Sequence, residues 1–241
     1  MKFRVLVCSL LVWGSFPGWA MPGIGALALS GGRSFCAFSP FLNRSEKIEE
    51  SASFQVKKGD RKADAEQLAR ALDYFSSEKF HECLVLLQPL NRRYKLNPRY
   101  RAYLAVCLYY EWEYAEAIRL FDEVLPQLQG LAPHELSLYY WMDAESYFAL
   151  QQYDRALPLY EKMLPVCWEN EKPDAYYRLG FCHLFAAEAS GSSESSDSSA
   201  EERKKAKECF ELSLEGYLKY RNTPNEKARI AQIRHMIGGL K

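Results

Sequence analysis

The chain has 241 residues, 48% hydrophobic and 26% charged, which is enough apolar content to bury a core and too much for wholesale disorder. Its 31 basic residues balance 31 acidic ones, so no global field favours nucleic acid or an anionic membrane. The first element is a leader. Lys2 and Arg4 precede the apolar run VLVCSLLVWGSF, and Gly18 and Ala20 place small residues ahead of a cut after Ala20. This is the layout of a secretory signal peptide over residues 1–20.

Two other readings of the leader stay open. No charge occurs from Val5 to Gly32, a length that can span a bilayer, although Pro17, Pro22 and the glycines oppose a regular helix. The first acidic residue is Glu46, and Arg4, Arg33 and Arg44 among serines also suit a mitochondrial transit peptide. Residues 21–60 carry neither a helical nor a strand period and are rich in Gly, Pro and Ser, the composition of a flexible tether. Cys8 lies too early and Cys36 too late for a lipoprotein cysteine. The other five cysteines, Cys83, Cys107, Cys167, Cys182 and Cys209, fall in or beside amphipathic stretches, where a free thiol acts as a small hydrophobe.

From about residue 62 onward apolar residues recur at three- and four-residue intervals, which predicts helix throughout residues 61–241. Three stretches superimpose: ALDYFSSEKFHECLVLL, AVCLYYEWEYAEAIRLF and AESYFALQQYDRALPLY. Each has a small residue (Ala71, Ala105, Ala144), a second small one twelve positions on (Cys83, Ala117, Ala156), and a bulky apolar one four positions later (Leu87, Phe121, Tyr160). Cys83 to Ala117 is one period, and Ala117 to Ala156 is a second, lengthened within the connection QGLAPHE. Two antiparallel helices approach closely only where small side chains face each other, and the bulky residue fills the groove toward the next pair. Pro98, Pro133 and Pro173 open or precede successive pairs, where a missing N–H costs nothing. Pro89, Pro126, Pro158 and Pro165 are expected to shorten or kink second helices.

These residues resemble tetratricopeptide repeats, whose aromatic-x2-Leu-Gly-x2-Tyr and Ala-x3-Phe elements recur with a period of about 34 residues. The resemblance covers roughly residues 64–221 and is strongest in the second pair, through Leu104, Ala105, Tyr114, Ala117 and Phe121. The first pair departs most, with Gln67, Arg70 and Cys83 where the family prefers an aromatic, Leu and Ala. The resemblance implies an all-α fold, an α-solenoid of about four antiparallel helix pairs with a C-terminal capping helix. The repeats fall at about 64–97, 98–131, 137–170 and 173–221, and the cap at 224–237.

The fourth pair is interrupted. Tyr176 to His183 makes a first helix and Ala206 to Phe210 anchors a second, but Gly180 and Ala206 stand much farther apart than the twelve positions between slots in the earlier pairs. The extra residues are the run ASGSSESSDSSAEERKK, so 188–201 reads as an insertion within one repeat rather than a domain boundary. Its composition predicts a solvated, mobile loop whose removal leaves stability unchanged, with residues 201–205 beginning the second helix. In the cap, Ile230, Ile233 and Ile237 form one stripe and Gly238-Gly239 is expected to stop the helix.

In such repeats the first helix of each pair lines the concave face, and the positions around each small slot that point there include Tyr109, Trp141, Glu145, Phe148, Tyr177, Phe181 and Leu184. An aromatic groove of this kind binds peptide or protein segments through a few large anchors; the same rings can equally pack against one another, the cap or the tether. The resemblance also extends to co-chaperones that hold a C-terminal carboxylate with Lys and Asn on first helices. Here Leu68, Leu72, Ala102, Val106, Trp141 and Glu145 occupy those places, so binding of chaperone tails is not expected.

Other chemistry is weakly represented. The stretch NRRYKLNPRYRAY interleaves basic and aromatic residues as a nucleic-acid surface does, but reads more simply as a solvated connection. His81, His134, His183 and His235 are scattered, with no metal-ligand spacing, and adjacent Cys182 and His183 point about 100° apart on a helix. No enzyme activity, metal or cofactor is expected. The expectation is a non-catalytic protein–protein interaction scaffold, exported to the periplasm or outer membrane of a Gram-negative bacterium, with peripheral membrane association through an envelope complex. A membrane-anchored or organellar adaptor that tethers a partner complex is the alternative.

Overall fold

The computed structural model describes residues 61–190 and 196–240; the leader, the tether and their boundaries lie outside them. All regular structure among the described residues is helical. The helices are α1 (Arg61–Ser76), α2 (Phe80–Arg93), α3 (Pro98–Tyr110), α4 (Tyr114–Val124), α5 (Pro133–Ala149), α6 (Tyr153–Met163), α7 (Lys172–Ser190), α8 (Ser196–Tyr220) and α9 (Lys227–Gly239). They pack in order as four antiparallel pairs, α1/α2 to α7/α8, each pair lying on the next, and α9 closes on α8.

The small slots do what the spacing requires. Ala71, Cys83, Ala105, Ala117, Ala144 and Ala156 are all 0% exposed, as are the groove fillers Leu87, Phe121 and Tyr160. In the fourth pair the slot is Gly180, and a Cβ there would come 2.6 Å from the ring of Phe210. The ring therefore occupies the space of the missing side chain. Gly216 plays the same part lower in the pair, where a Cβ would meet Pro173 at 2.5 Å.

The first three pairs share one turn. Glu78, Trp112 and Gln151 adopt φ of 58°, 67° and 60°, and each stands at the same offset before its small slot, Cys83, Ala117 or Ala156. After each, a backbone N–H reaches back over the helix end: Lys79 to Tyr74, Glu113 to Leu108 and Gln152 to Tyr147, all at 2.9 Å. This is the double-bonded C-terminal motif that satisfies the last carbonyls and reverses the chain in the fewest residues. At the opposite edge, α3 begins on Asn97, whose side chain accepts the Arg99 N–H at 2.9 Å, with Pro98 in the first turn. Pro126 lies in the short 3-10 turn Leu125–Gln127 that closes α4, whereas Pro89 and Pro158 sit inside α2 and α6.

The insertion differs from its expectation as a mobile loop. Apart from residues 191–195, which lie outside the described ones, it is helical: α7 runs to Ser190 and α8 starts at Ser196. The two extensions pack on each other, with Ser199 donating to the Ala187 carbonyl at 3.1 Å and His183 meeting Glu202 at 2.7 Å. Ala187 and Ser199 are buried. The inserted residues thus lengthen both helices of the pair, because Ala and Ser at the contact let the extended helices stay close.

A second apolar cluster holds the end of the stack. Tyr177, Ala206, Phe210 and Tyr217 pack with Ile230 and Ile233 of α9. Asp174 ties the start of α7 to the end of α8 through Tyr217 and Arg221, and Arg221 also pairs with Glu226 at 2.6 Å. The helix α9 takes in Gly238 and ends at Gly239, two residues beyond the expected bound of 237.

Candidate functional site

The face built by α3, α5 and α7 gathers the residues singled out from the sequence. Tyr109 is on α3; Trp141, Glu145 and Phe148 are on α5; Tyr177 and Phe181 are on α7. Trp141 and Phe148 are seven residues apart, two helical turns, so both rings stand on one side of α5. Each ring is half-buried. Trp141 leans its edge on Tyr160, with ring centroids 5.6 Å apart. Phe148 is walled by Tyr153 at 5.0 Å and Phe185 at 6.4 Å, and the Arg178 guanidinium lies 4.5 Å from its ring centre. That geometry suits a cation–π contact.

Beneath these rings lies an ion pair. Glu145 is only 8% exposed, and its carboxylate takes Nε and Nη2 of Arg178 from the next pair, both at 2.6 Å. Tyr160 donates its hydroxyl to the same carboxylate. Burial works against the charge on Arg178, but the Glu145 carboxylate outweighs it and holds the guanidinium above its ordinary pKa. Burial first, then the Glu145 charge, pushes the phenol of neighbouring Tyr109 well up, so it stays protonated. Glu145 was expected to face a partner. Instead it is committed within the protein, because an ion pair with two parallel N–H contacts fixes α5 against α7.

Tyr177 is likewise no open groove residue. It is 5% exposed, covered by Arg229 of α9 at 4.3 Å and packed on Phe210 at 6.0 Å. Phe181 remains half-buried, 5.4 Å from Phe210 and 6.2 Å from Phe185. Leu184 packs beside it in the same end cluster. The six residues therefore divide: Trp141, Phe148 and Phe181 offer ring surface, Tyr109 borders them, and Glu145 and Tyr177 support them from below.

The basic stretch from the end of α2 into the start of α3 is largely neutralised. Arg93 pairs with Asp64 at 2.7 Å, Arg99 with Glu135 at 2.7 Å, and Arg101 with Glu123. Among the described residues no group of three or more His, Cys, Asp or Glu is placed to hold a metal ion, and no helix is long and apolar enough to cross a membrane.

No family model matches the chain, and no curated protein matches it. Among solved structures it is similar to MamA 41-end from Desulfovibrio magneticus RS-1, at 16% identity over 76% of this chain and 95% of that one, TM-score 0.42. It is also similar to a TPR repeats protein from Bacteroides fragilis (14%, 74% and 99%, TM-score 0.32) and to the TPR2AB-domain:pHSP90 complex of yeast Sti1 (12%, 75% and 99%, TM-score 0.34). At these values the fold rests on the helix pairs themselves. Their slots, turns and order of packing are tetratricopeptide-like.

Sequence reasoning missed Arg178, Phe185 and Arg229, and took Tyr160 as a groove filler without its hydroxyl bond to Glu145. A signal for the first existed: Glu145 and Arg178 are opposite charges one repeat apart, on first helices that the repeat period sets side by side. Phe185 stands five positions after its slot, where Ser76, Tyr110 and Ala149 end the earlier first helices, one place beyond the groove positions counted from the sequence.

Proposed function

We infer that the chain is a non-catalytic scaffold that holds a peptide or protein segment against the face of its first helices. The observation that carries this reading is the half-buried ring of Phe148, with Trp141 two turns before it and Phe181 on the neighbouring helix. Such a row offers large rigid anchors at low entropic cost. Its chemistry favours holding over catalysis: the one carboxylate beneath, Glu145, is closed off by Arg178 and Tyr160.

Export to the envelope of a Gram-negative bacterium, with residues 1–20 as a cleaved leader, is the localisation the sequence supports best. There the scaffold would join an envelope complex at the membrane surface. N-terminal sequencing of the mature protein tests this: a start at Met21 is expected, and a retained Met1 favours the anchored or organellar adaptor instead.

The binding reading is tested by selecting from a random peptide display library on the folded chain. Recovered segments should carry apolar or aromatic anchors, bind in the micromolar range, and weaken at least about tenfold against Trp141→Ala, a loss typical of a removed anchor. A selection that yields nothing, or binders indifferent to Trp141→Ala, overturns it.

A further inference from the structure

Two thiols meet where the first two helix pairs join. Cys83 on α2 and Cys107 on α3 are both 0% exposed and belong to one apolar cluster on directly packed helices. Each thiol is the strongest influence on the other's ionisation, making Cys83 the readier of the two to lose its proton and Cys107 the less ready. Packing alone does not ask for sulfur at this joint. The residues in the same register at the next joint are Ala117 and Ser146, which are equally buried. An alanine therefore suffices for the slot Cys83 fills, and the first joint alone sets a thiol against a thiol.

We propose that Cys83 and Cys107 form a disulfide that locks the first helix pair to the second whenever the protein meets a low-molecular-weight disulfide such as glutathione disulfide. The Cys83 thiolate attacks one sulfur of the reagent, breaking its S–S bond and releasing one reduced thiol. The Cys107 sulfur, giving up its proton, then attacks the Cys83 sulfur of the mixed disulfide and expels the second thiol. Two electrons pass from the cysteine pair to the reagent, and the two sulfhydryl protons end on the two released thiols. A cysteine pair across two packed helices closes an S–S bond of about 2 Å by side-chain rotation alone when its Cα atoms lie within about 7 Å. Access comes from the end of the stack: among the described residues the first pair has a neighbouring pair on one side only, and terminal repeats open at lower free energy than internal ones. Neither the partner nor the localisation of the protein enters this inference.

The test uses the full chain equilibrated in mixtures of glutathione and glutathione disulfide, then acid-quenched, denatured, alkylated, digested with trypsin and weighed. Peptides 80–92 and 102–119 should appear joined, two hydrogens lighter than their sum, while Cys167, Cys182 and Cys209 carry the alkyl label. Adding dithiothreitol to the oxidised protein should lower its melting temperature by about 5 °C or more. The variant Cys83→Ala, which places in this slot the residue found at the next two, should keep its helical circular dichroism and lose that response. Peptides 80–92 and 102–119 labelled separately at every ratio, joined instead to other cysteines, or a dithiothreitol response that persists in Cys83→Ala would each overturn the proposal.

Discussion

The first three helix pairs and the fourth solve one problem in two ways. In the first three, a left-handed residue at Glu78, Trp112 or Gln151 returns the chain within a few residues, so the turn itself sets the two helices against each other. In the fourth that turn is replaced by the insertion, and the pairing rests on side chains far apart in sequence. Phe210 enters the space over Gly180, Ser213 donates to the Pro173 carbonyl at 2.7 Å, Asp174 holds Tyr217 and Arg221, and Ser199 reaches the Ala187 carbonyl. Local geometry is enough for a short turn. A long connection has to be secured by contacts along the helices, and the two glycines that admit those contacts are part of that arrangement.

The largest expected effects break the fourth pair. Phe210→Ala should cost about 3–5 kcal/mol in urea unfolding, through lost burial and the cavity left over Gly180. Because the lost contact holds α7 to α8, residues 172–240 should show faster hydrogen exchange before residues 98–163 do. Arg178→Met acts at the joint between the third and fourth pairs. It leaves Glu145 buried without its cation and should cost about 3–5 kcal/mol, most of which Glu145→Leu in the same chain should restore. If Arg178→Met unfolds no more easily than the wild type, the ion pair does not hold the joint.

The third pair carries its own weakness, a carboxylate with nothing to bond. Both oxygens of Asp143 are buried and have no hydrogen-bond partner, while Asp122 faces it from α4 and Lys162 from α6. Burial first, then the Asp122 charge, pushes the Asp143 carboxyl up to about 8 from an ordinary 3.8. The folded state therefore keeps a proton that the unfolded chain releases. Stability is undiminished below about pH 4, falls as the pH rises toward 8, and is level beyond. Asp143→Asn should match the wild type near pH 4 and exceed it by a few kcal/mol near pH 9, as an order of magnitude. Equal urea midpoints at pH 9 would place the charge of Asp143 outside the balance of stability.

The smallest effect sharpens the turn side of the comparison. Gln151→Gly should raise stability by about 0.5–1 kcal/mol, because glycine adopts the left-handed backbone without the strain a side chain brings. A destabilising result would mean that the glutamine side chain contributes more than its backbone costs.

How much of this was legible in the sequence follows the same division. The slots Ala105, Ala117, Phe121, Ala144, Ala156 and Tyr160 were readable because packing restricts size at fixed intervals, and size is visible in residue type. The turns were not, since left-handed positions are usually marked by Gly or Asn and here hold Glu, Trp and Gln. The helical extension across the insertion was hidden as well: its Ser-rich composition carries no apolar stripe, and Ala187 and Ser199 are small residues that give little sign of the contact they make. At the candidate site the rings of Trp141, Phe148 and Phe181 could be placed on first helices by counting from the slots. The support beneath them could not, because Arg178 and Arg229 act across one repeat and from the cap.

The most direct test of the binding face places a photo-reactive benzoyl-phenylalanine at either of two positions and irradiates each chain with a selected peptide. At Phe148, on the first helix of the third pair, the account predicts a cross-linked product that excess unlabelled peptide suppresses. At Val85, 56% exposed on the second helix of the first pair, it predicts none. Cross-linking from position 85 but not from 148 would contradict the account, since the peptide would then be held by the second helices.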